Sequence, residues 1–227
     1  MEGFPRQSIR QLPRHNPREL SGFGVEAVYP FFRWPTLAHF ARRGHKPDMI
    51  TRTHTKGDAP STAVYSDCER YRYSLTRVWD VTGSLVQFVM LNPSTATEIQ
   101  NDPTVERCER RARTLGHGGF RVTNIFAWRD TDPRKMRAAK DPIGDENDSA
   151  ICAGAAWADV TICGWGTHGE HRDRGADVER LLRASGASLL HLGLTKAGHP
   201  KHPLYIAYTQ QPELWLPPHD PTQDVVR

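Results

Sequence analysis

Cysteine is scarce in this 227-residue sequence, and its four occurrences, Cys68, Cys108, Cys152 and Cys163, are far apart. No two of them lie within four residues of each other, so the paired spacing of a zinc knuckle or ribbon is missing. We therefore expect reduced, mostly buried thiols, no bound metal and no cofactor.

Long apolar runs are also missing. No stretch approaches the roughly 18 consecutive apolar residues that a membrane span requires, and the N-terminus has no apolar segment of the signal-peptide kind. Charged residues make up 25% and hydrophobic residues 37% of the chain, which is typical of a globular protein in water. We expect a cytoplasmic protein without a membrane partner, and the sequence leaves its oligomeric state open.

Positive charge is unevenly distributed along the chain. Residues 1–60 contain 10 Lys and Arg against 5 Asp and Glu, whereas the remainder contains 20 against 21. Periodicity is weak in the same region, so we predict a basic, partly disordered leader over residues 1–60. Such an arm can bind nucleic acid through phosphate contacts, and a solvated extension without a partner is the alternative.

From residue 62 to residue 210 the pattern is that of an α/β domain. An alternating strand is predicted at 71–79, apolar strands at 85–91, 120–126, 160–163 and 188–194, and a closing or edge strand at 205–208. Helices are predicted at 103–115, 145–157 and 173–184. This alternation predicts a three-layer α/β/α fold with a mainly parallel central sheet, followed by an irregular tail over residues 211–227.

A polar loop rich in Gly and Pro follows each of the four apolar strands. Because ligands bind beyond the carboxyl ends of strands in open α/β sheets, these loops are expected to converge on one cleft. Asn92, at the end of the first apolar strand, can orient a water molecule through its amide, or it can cap its own turn. Ser94 and Thr95 follow in the same loop and are candidate ligand contacts.

Asp102, Asn124 and Trp165 each have a structural and a functional interpretation. Asp102 precedes a helix, where it can be the N-cap, and as a carboxylate that faces the cleft it would be the best general base. Asn124 lies within an apolar strand and needs buried partners, either in neighbouring loops or in the pocket. Trp165 lies between two glycines, where its ring either stacks on a base or packs in the core.

The loop after the last apolar strand is rich in hydrogen-bond donors, namely Thr195, Lys196, His199, Lys201 and His202. We favour His202 for function, because Pro203 and Leu204 fix its backbone beside an apolar anchor and an imidazole can donate to a developing anion. The other four are candidate ligand contacts. A metal site is not expected, because neither an acidic nor a third His ligand stands at regular spacing.

Eight segments of the predicted domain resemble the family catalogued as domain of unknown function 1643. They cover nearly the whole domain and are Tyr71-Arg72-Tyr73, MLNPSTA (90–96), NDPT (101–104), GHGGF (116–120), TNIFAWRDTDP (123–133), PIGDEND (142–148), GWG (164–166) and TKAGHPKHPLY (195–205). This resemblance indicates a family but implies no particular activity.

The order of the motifs is also similar, more distantly, to that of the uracil-DNA glycosylase superfamily. The segment 90–94, Met-Leu-Asn-Pro-Ser, resembles a strand end at which an Asn positions the attacking water. His202-Pro203 resembles a His-Pro-Ser motif whose His stabilises the departing base, although Leu204 stands where the superfamily has Ser. Thr123-Asn124 and the segment 160–166 are similar in place to two further strands of that superfamily.

The resemblance implies a fold like that of uracil-DNA glycosylases and a nucleobase N-glycosidase-like hydrolase that acts on a nucleotide or a nucleic-acid base. Asn92 would hold water against the anomeric carbon, Asp102 would assist, and His202 would stabilise the leaving base. A non-catalytic module of the same fold that binds a nucleotide or a modified base is the alternative. A third hypothesis is a partner subunit tethered by the basic leader.

Overall fold

The computed structural model describes residues 48–217. Residues 1–47 of the predicted leader and residues 218–227 of the predicted tail lie outside the described residues. The rest of the predicted leader forms a strand, β1 (Met49–Lys56), and the start of its antiparallel neighbour, β2 (Ala59–Ser66). The domain therefore begins before residue 62. β1 is almost entirely exposed, so it lacks the apolar pattern by which a sequence reveals a strand.

Eight strands form one sheet in the order β1-β2-β3-β5-β4-β6-β7-β8. The strands after the first hairpin are β3 (Arg72–Val78), β4 (Leu85–Met90), β5 (Gly119–Asn124), β6 (Val160–Cys163), β7 (Leu189–His191) and β8 (Glu213–Leu214). The central strands β5, β4, β6 and β7 pair in parallel with one another. They are the four strands predicted from apolar runs.

The sheet as a whole is mixed, which corrects the prediction of a mainly parallel sheet. Four of its seven pairings are antiparallel, those of β1 with β2, β2 with β3, β3 with β5 and β7 with β8. Buried and half-buried residues alternate along most of β3, as is typical of antiparallel strands. β8 lies in the predicted irregular tail. The predicted strand at 205–208 is wrong, because Tyr205 ends a 3-10 turn, Pro203–Tyr205, and residues 206–208 form no strand.

Four α-helices lie within residues 48–217: α1 (Pro103–Thr114), α2 (Pro133–Ala138), α3 (Asn147–Trp157) and α4 (Arg174–Ala184). The three longer helices confirm those predicted. α2 was not predicted from the sequence, although it begins as α1 does, with an Asp side chain that accepts a first-turn N–H and a following Pro. Six residues are too few to show a helical apolar period.

The helices cover both faces of the sheet. Along β4, Val86, Phe88 and Met90 belong to one hydrophobic cluster and Val89 belongs to another, because successive side chains of a strand point to opposite faces. The first cluster includes buried residues of α1, and the second includes those of α2, α3 and α4. The domain is thus layered as helix, sheet and helix. In the described part of the chain, no helix is both long and apolar enough to cross a membrane.

All four cysteines are free thiols. Cys108 and Cys163 are buried, and burial raises the pKa of both thiols. Cys152 is half-buried and Cys68 is exposed, so the expectation of mostly buried thiols holds for two of the four.

Candidate functional site

A cleft of about 580 Å³ opens where the parallel strands end. The loops that follow β4, β5, β6 and β7 all contribute to its walls, as at ligand sites of open α/β sheets. The predicted residues that line it are Asn92, Ser94, Asp102, Trp165, Thr195, Lys201 and His202. The three residues predicted to act in catalysis are therefore brought together in one cleft.

Four predicted ligand contacts lie elsewhere, namely Asn124, which is described below, and three residues in loops. Thr95 is exposed in a shallow depression beside the cleft, and Lys196 is exposed outside both. The Nε2 atom of His199 lies 2.9 Å from Oε1 of Glu170, so this side chain is engaged away from the cleft. Among the described residues, no group of three His, Cys, Asp or Glu side chains is placed to hold a metal ion.

The side chain of Asn92 is fixed by its amide nitrogen. Nδ2 donates to the carbonyl oxygens of Pro93 at 3.0 Å and Asp130 at 2.7 Å. The backbone N–H of Asp130 donates to the Pro93 carbonyl at 2.9 Å, so the loops after β4 and β5 are tied together. Oδ1 has no hydrogen-bond partner within residues 48–217, which leaves it as an acceptor for water or for a ligand N–H.

Both carboxylate oxygens of Asp102 accept hydrogen bonds from the backbone. Oδ1 accepts from the Val105 N–H at 2.8 Å as the N-cap of α1, and Oδ2 accepts from the Ala96 N–H at 3.3 Å. The side chain is buried, with 6% exposure. The N-cap interpretation is confirmed, and the second bond anchors the loop that carries Asn92. Because Asp102 also borders the cleft, the structural role and a wall position coexist.

His202 presents a neutral imidazole to the cleft. Nδ1 accepts a hydrogen bond from the Leu204 N–H at 3.3 Å, which leaves the ring proton on Nε2. Burial lowers the pKa of His202 to about 4, the Asp102 carboxylate opposes this shift, and His168 adds to it. At neutral pH, Nε2–H is therefore an uncharged donor available to an anion or a carbonyl oxygen.

The lowered pKa of His202 is expected to make the fold less stable in mild acid. Between pH 6.5, the ordinary pKa, and about pH 4, the unfolded chain binds a proton at this site that the folded chain does not. The free energy of unfolding therefore falls as the pH drops through this range, by about 3 kcal/mol at most. His202→Asn keeps an acceptor for the Leu204 N–H, so we expect it to remove this part of the loss.

Urea denaturation measures the free energy of unfolding of the wild type and of His202→Asn at neutral pH and at several values down to about pH 4. The comparison is between the losses of stability that the two proteins show over this range. Burial also lowers the pKa of His117 and His171, and both remain in the variant, so some acid sensitivity persists in each protein. The same loss of stability in both proteins would contradict a neutral, half-buried imidazole at position 202.

Trp165 and Asn124 serve the core. The Trp165 ring is 2% exposed, and its centroid lies 5.6 Å from that of Trp215. A Cβ on Gly169 would come within 2.2 Å of the ring, so the glycine makes room for it. Core packing, rather than stacking on a base, is the role that the structure gives Trp165. Asn124 lies outside the cleft, and its carbonyl accepts from Nδ2 of Asn147 at 3.0 Å, which ties β5 to α3.

Residues 72–204 match the model of a family described as a protein of unknown function, DUF1643. The chain belongs to the DUF1643 family. Comparisons with the curated proteins and with the solved structures gave no match. The DUF1643 segment contains the four parallel strands together with Asn92, Asp102 and His202, so the resemblance noted from the sequence is confirmed.

Sequence reasoning missed several residues of the cleft, at the edge of the DUF1643 segment and within it. Tyr205 follows the segment directly, is 84% exposed, and has its ring centroid 6.4 Å from that of His202. An exposed aromatic ring beside a donor can stack on a flat ligand. Asp130 and His168 also line the cleft. Asp130 and His168 could have been found from the sequence because they lie in loops that follow apolar strands. Tyr205 could have been found because it is close to His202 in the sequence.

Arginines from α1, inside the DUF1643 segment, fix the backbone that follows Tyr205. Arg107 donates through Nη1 to the Ile206 carbonyl at 2.9 Å. Arg111, which is buried, donates through Nη1 to the Gln210 carbonyl at 2.7 Å and through Nη2 to the Ala207 carbonyl at 3.0 Å. Backbone carbonyls thus accept from both terminal nitrogens of a buried guanidinium that has no carboxylate partner among the described residues, although its Nε is without a partner there, and this wall of the cleft is held in place.

Proposed function

We propose that this DUF1643 protein is a nucleobase N-glycosidase-like hydrolase whose cleft receives a base from a nucleotide or from a nucleic acid. The observation that carries the proposal is that Asn92 and His202 line one cleft, the first with a free amide oxygen and the second with a neutral Nε2–H. Hydrolysis of an N-glycosidic bond needs a held water and a donor to the departing base.

Each step of the reaction has a residue of the cleft to perform it. Asn92 Oδ1 holds a water whose oxygen bonds to the anomeric carbon as the bond from carbon to base nitrogen breaks. The electron pair of that bond passes to the base, where His202 Nε2–H donates to the negative charge. Asp102 takes up the water proton, since each carboxylate oxygen keeps accepting capacity beyond its backbone hydrogen bond, and the proton then returns to the base.

The placement of the two motifs supports a fold like that of uracil-DNA glycosylases, with antiparallel strands added at both edges. The Asn-Pro segment follows β4 and the His-Pro segment follows β7, both at the carboxyl end of the parallel strands. Tyr205 supplies the exposed ring for stacking that the buried Trp165 does not. A flat, partly apolar ligand with an anionic or carbonyl edge fits this arrangement.

A second candidate is a non-catalytic module that binds a nucleotide or a modified base in the same cleft. The observation that favours it is the engagement of both Asp102 oxygens by backbone N–H groups, which suits an anchor better than a free base. In this case Asn92 and His202 would read the hydrogen-bonding edge of a base without a reaction.

Measurement of free base separates the two candidates. The purified protein is incubated with single-stranded and duplex DNA that contains uracil, hypoxanthine or hydroxymethyluracil, and with the corresponding free nucleotides. Chromatography is expected to show release of a base by the wild type and none by the double variant Asn92→Ala/His202→Ala. Binding without release would support the binding module. If the protein neither releases a base nor binds any of these molecules, both candidates are overturned.

A further inference from the structure

We propose that the shallow depression beside the cleft is a phosphate-binding subsite built on Arg70 and Arg129. It shares Ser94, Asp130 and Thr131 with the cleft, so the two are continuous. The identity of the whole ligand rests on the proposed function, because the phosphate would belong to a molecule whose base lies in the cleft. The binding of phosphate itself does not depend on that function.

Arg129 is held rigidly with one end of its guanidinium open. Its backbone N–H donates to the Arg70 carbonyl at 2.9 Å, and its Nη1 donates to the Glu69 carbonyl at 3.0 Å. The guanidinium carbon lies 5.0 Å from the centroid of the Tyr65 ring. Nη2 has no partner within residues 48–217 and is not enclosed, so it is a preorganised donor at the depression.

The charges around the depression favour an anion. Neither Arg70 nor Arg129 forms an ion pair with a described residue. The carboxylate of Glu69 is paired with Arg52 at 2.6 Å, which leaves Asp130 as the unpaired acid of the depression. The lining therefore contains two guanidinium groups and one carboxylate without an ion pair, whose Oδ1 accepts from the Asp132 N–H at 2.9 Å, and the local balance is one positive charge.

The neutral groups of the depression match phosphate. Hydroxyls of Ser94, Thr95 and Thr131 and the amide of Gln100 line it together with the arginines. Guanidinium groups combined with hydroxyl donors suit a tetrahedral oxyanion with three or more acceptor oxygens. We infer that the ligand carries a phosphate, as a nucleoside monophosphate or as a polynucleotide strand. A free base or nucleoside would not make the contacts in the depression.

Calorimetric titration with inorganic phosphate at low ionic strength tests the subsite directly. Arg129→Gln and Arg70→Gln are each expected to weaken binding about tenfold or more, since each removes a charged donor. Arg70 donates no side-chain hydrogen bond to a described residue, so Arg70→Gln keeps the test valid even if Arg129→Gln folds poorly. Arg134→Gln is the matched control, because Arg134 is 82% exposed, pairs with Asp132 and lies outside the depression.

The same variants are then titrated with deoxyuridine, deoxyuridine 5′-monophosphate and a single-stranded deoxyuridine hexamer with a 5′-hydroxyl. Tighter binding of the monophosphate than of deoxyuridine, lost in the Arg70 and Arg129 variants, supports a monoester ligand. The corresponding preference for the hexamer supports a phosphodiester.

Two further outcomes separate the subsite from the proposed function. In the first, phosphate binding depends on the two arginines while deoxyuridine monophosphate binds no more tightly than phosphate. This result would support the subsite and count against a nucleobase ligand. Equal affinity for deoxyuridine and its monophosphate, or equal phosphate binding by the wild type and both arginine variants, would overturn the subsite and leave the cleft untouched.

Discussion

Asp102→Ala is expected to lower the free energy of unfolding by about 3 kcal/mol. The substitution removes the N-cap of α1, which alone costs about 1 kcal/mol. It also leaves the Ala96 N–H without its acceptor in a buried place, and an unsatisfied buried donor costs about 1–3 kcal/mol. These costs fall on one side chain because it joins a helix start to the loop after β4.

A buried arginine adds to the effect of this substitution. Nη1 of Arg72 donates to the Ala96 carbonyl at 2.6 Å, so Ala96 is held from both sides, by Asp102 and by Arg72. Burial lowers the pKa of Arg72 to about 10, and the charge of Asp102 opposes that shift. Without the carboxylate, the buried guanidinium loses a favourable interaction.

Asp132→Ala is the matched control for this prediction. Asp132 is the N-cap of α2, where it accepts from the Arg134 N–H at 2.8 Å, but its side chain is 30% exposed. We expect it to cost about 1 kcal/mol or less, since water replaces the lost acceptor. Urea denaturation of both variants gives the comparison. If Asp102→Ala costs no more than Asp132→Ala, Asp102 is not a buried anchor of the loop.

The variant Asp102→Asn addresses the chemical role. It retains an acceptor for the Val105 N–H but has no charge, so the fold is expected to survive with a smaller loss of stability. Base release that persists in Asp102→Asn would mean that Asp102 acts only as an anchor. Loss of release in a folded variant would support its part as the proton acceptor.

The centre of the fold could be predicted from the sequence because its signals are local. β4 is a nearly fully buried strand and appears as a nearly continuous apolar run, interrupted by Gln87 alone. α1 is bounded by Asp102-Pro103 at its start and by Gly116, with a φ of +80°, just after its end. Such features depend on neighbouring residues alone, so one sequence is enough to find them.

The edges of the fold could not be predicted in the same way. β1 is exposed at nearly every position, and β8 has two residues, so neither has an apolar period. Both become strands because a neighbouring strand offers hydrogen-bonding groups, β2 for β1 and β7 for β8. This pairing is a tertiary effect that the local sequence does not show. For this reason the sheet was predicted as mainly parallel, whereas it is mixed.

The loops of the site could be located from the sequence, but the directions of their side chains could not. His199 and His202 are three residues apart, yet the first pairs with Glu170 while the second accepts from the Leu204 N–H and borders the cleft. The same holds for two aromatic residues of the site. Trp165, which was predicted either to stack on a base or to pack in the core, is buried where Gly169 makes room for its ring, whereas Tyr205 is exposed.

His202→Ala is expected to lower the rate constant for base release by about 10²–10³-fold, if the cleft acts as proposed. The imidazole donates to charge that develops on the base only as the glycosidic bond breaks, so kcat should fall while KM changes little. His202→Asn offers an amide donor and should recover part of the rate. Single-turnover release of base, measured on variants of verified stability, gives these values.

The pH profile distinguishes this donor from a charged one. Because burial holds the pKa of His202 at about 4, raising the pH from about 6 to about 8 leaves Nε2–H in place. A cationic imidazole would instead lose activity through this range. His199→Gln serves as the control on the same loop, since the structure places His199 outside the cleft, and its rate should equal that of the wild type. A loss in His199→Gln as large as in His202→Ala would contradict the assignment of the donor to His202.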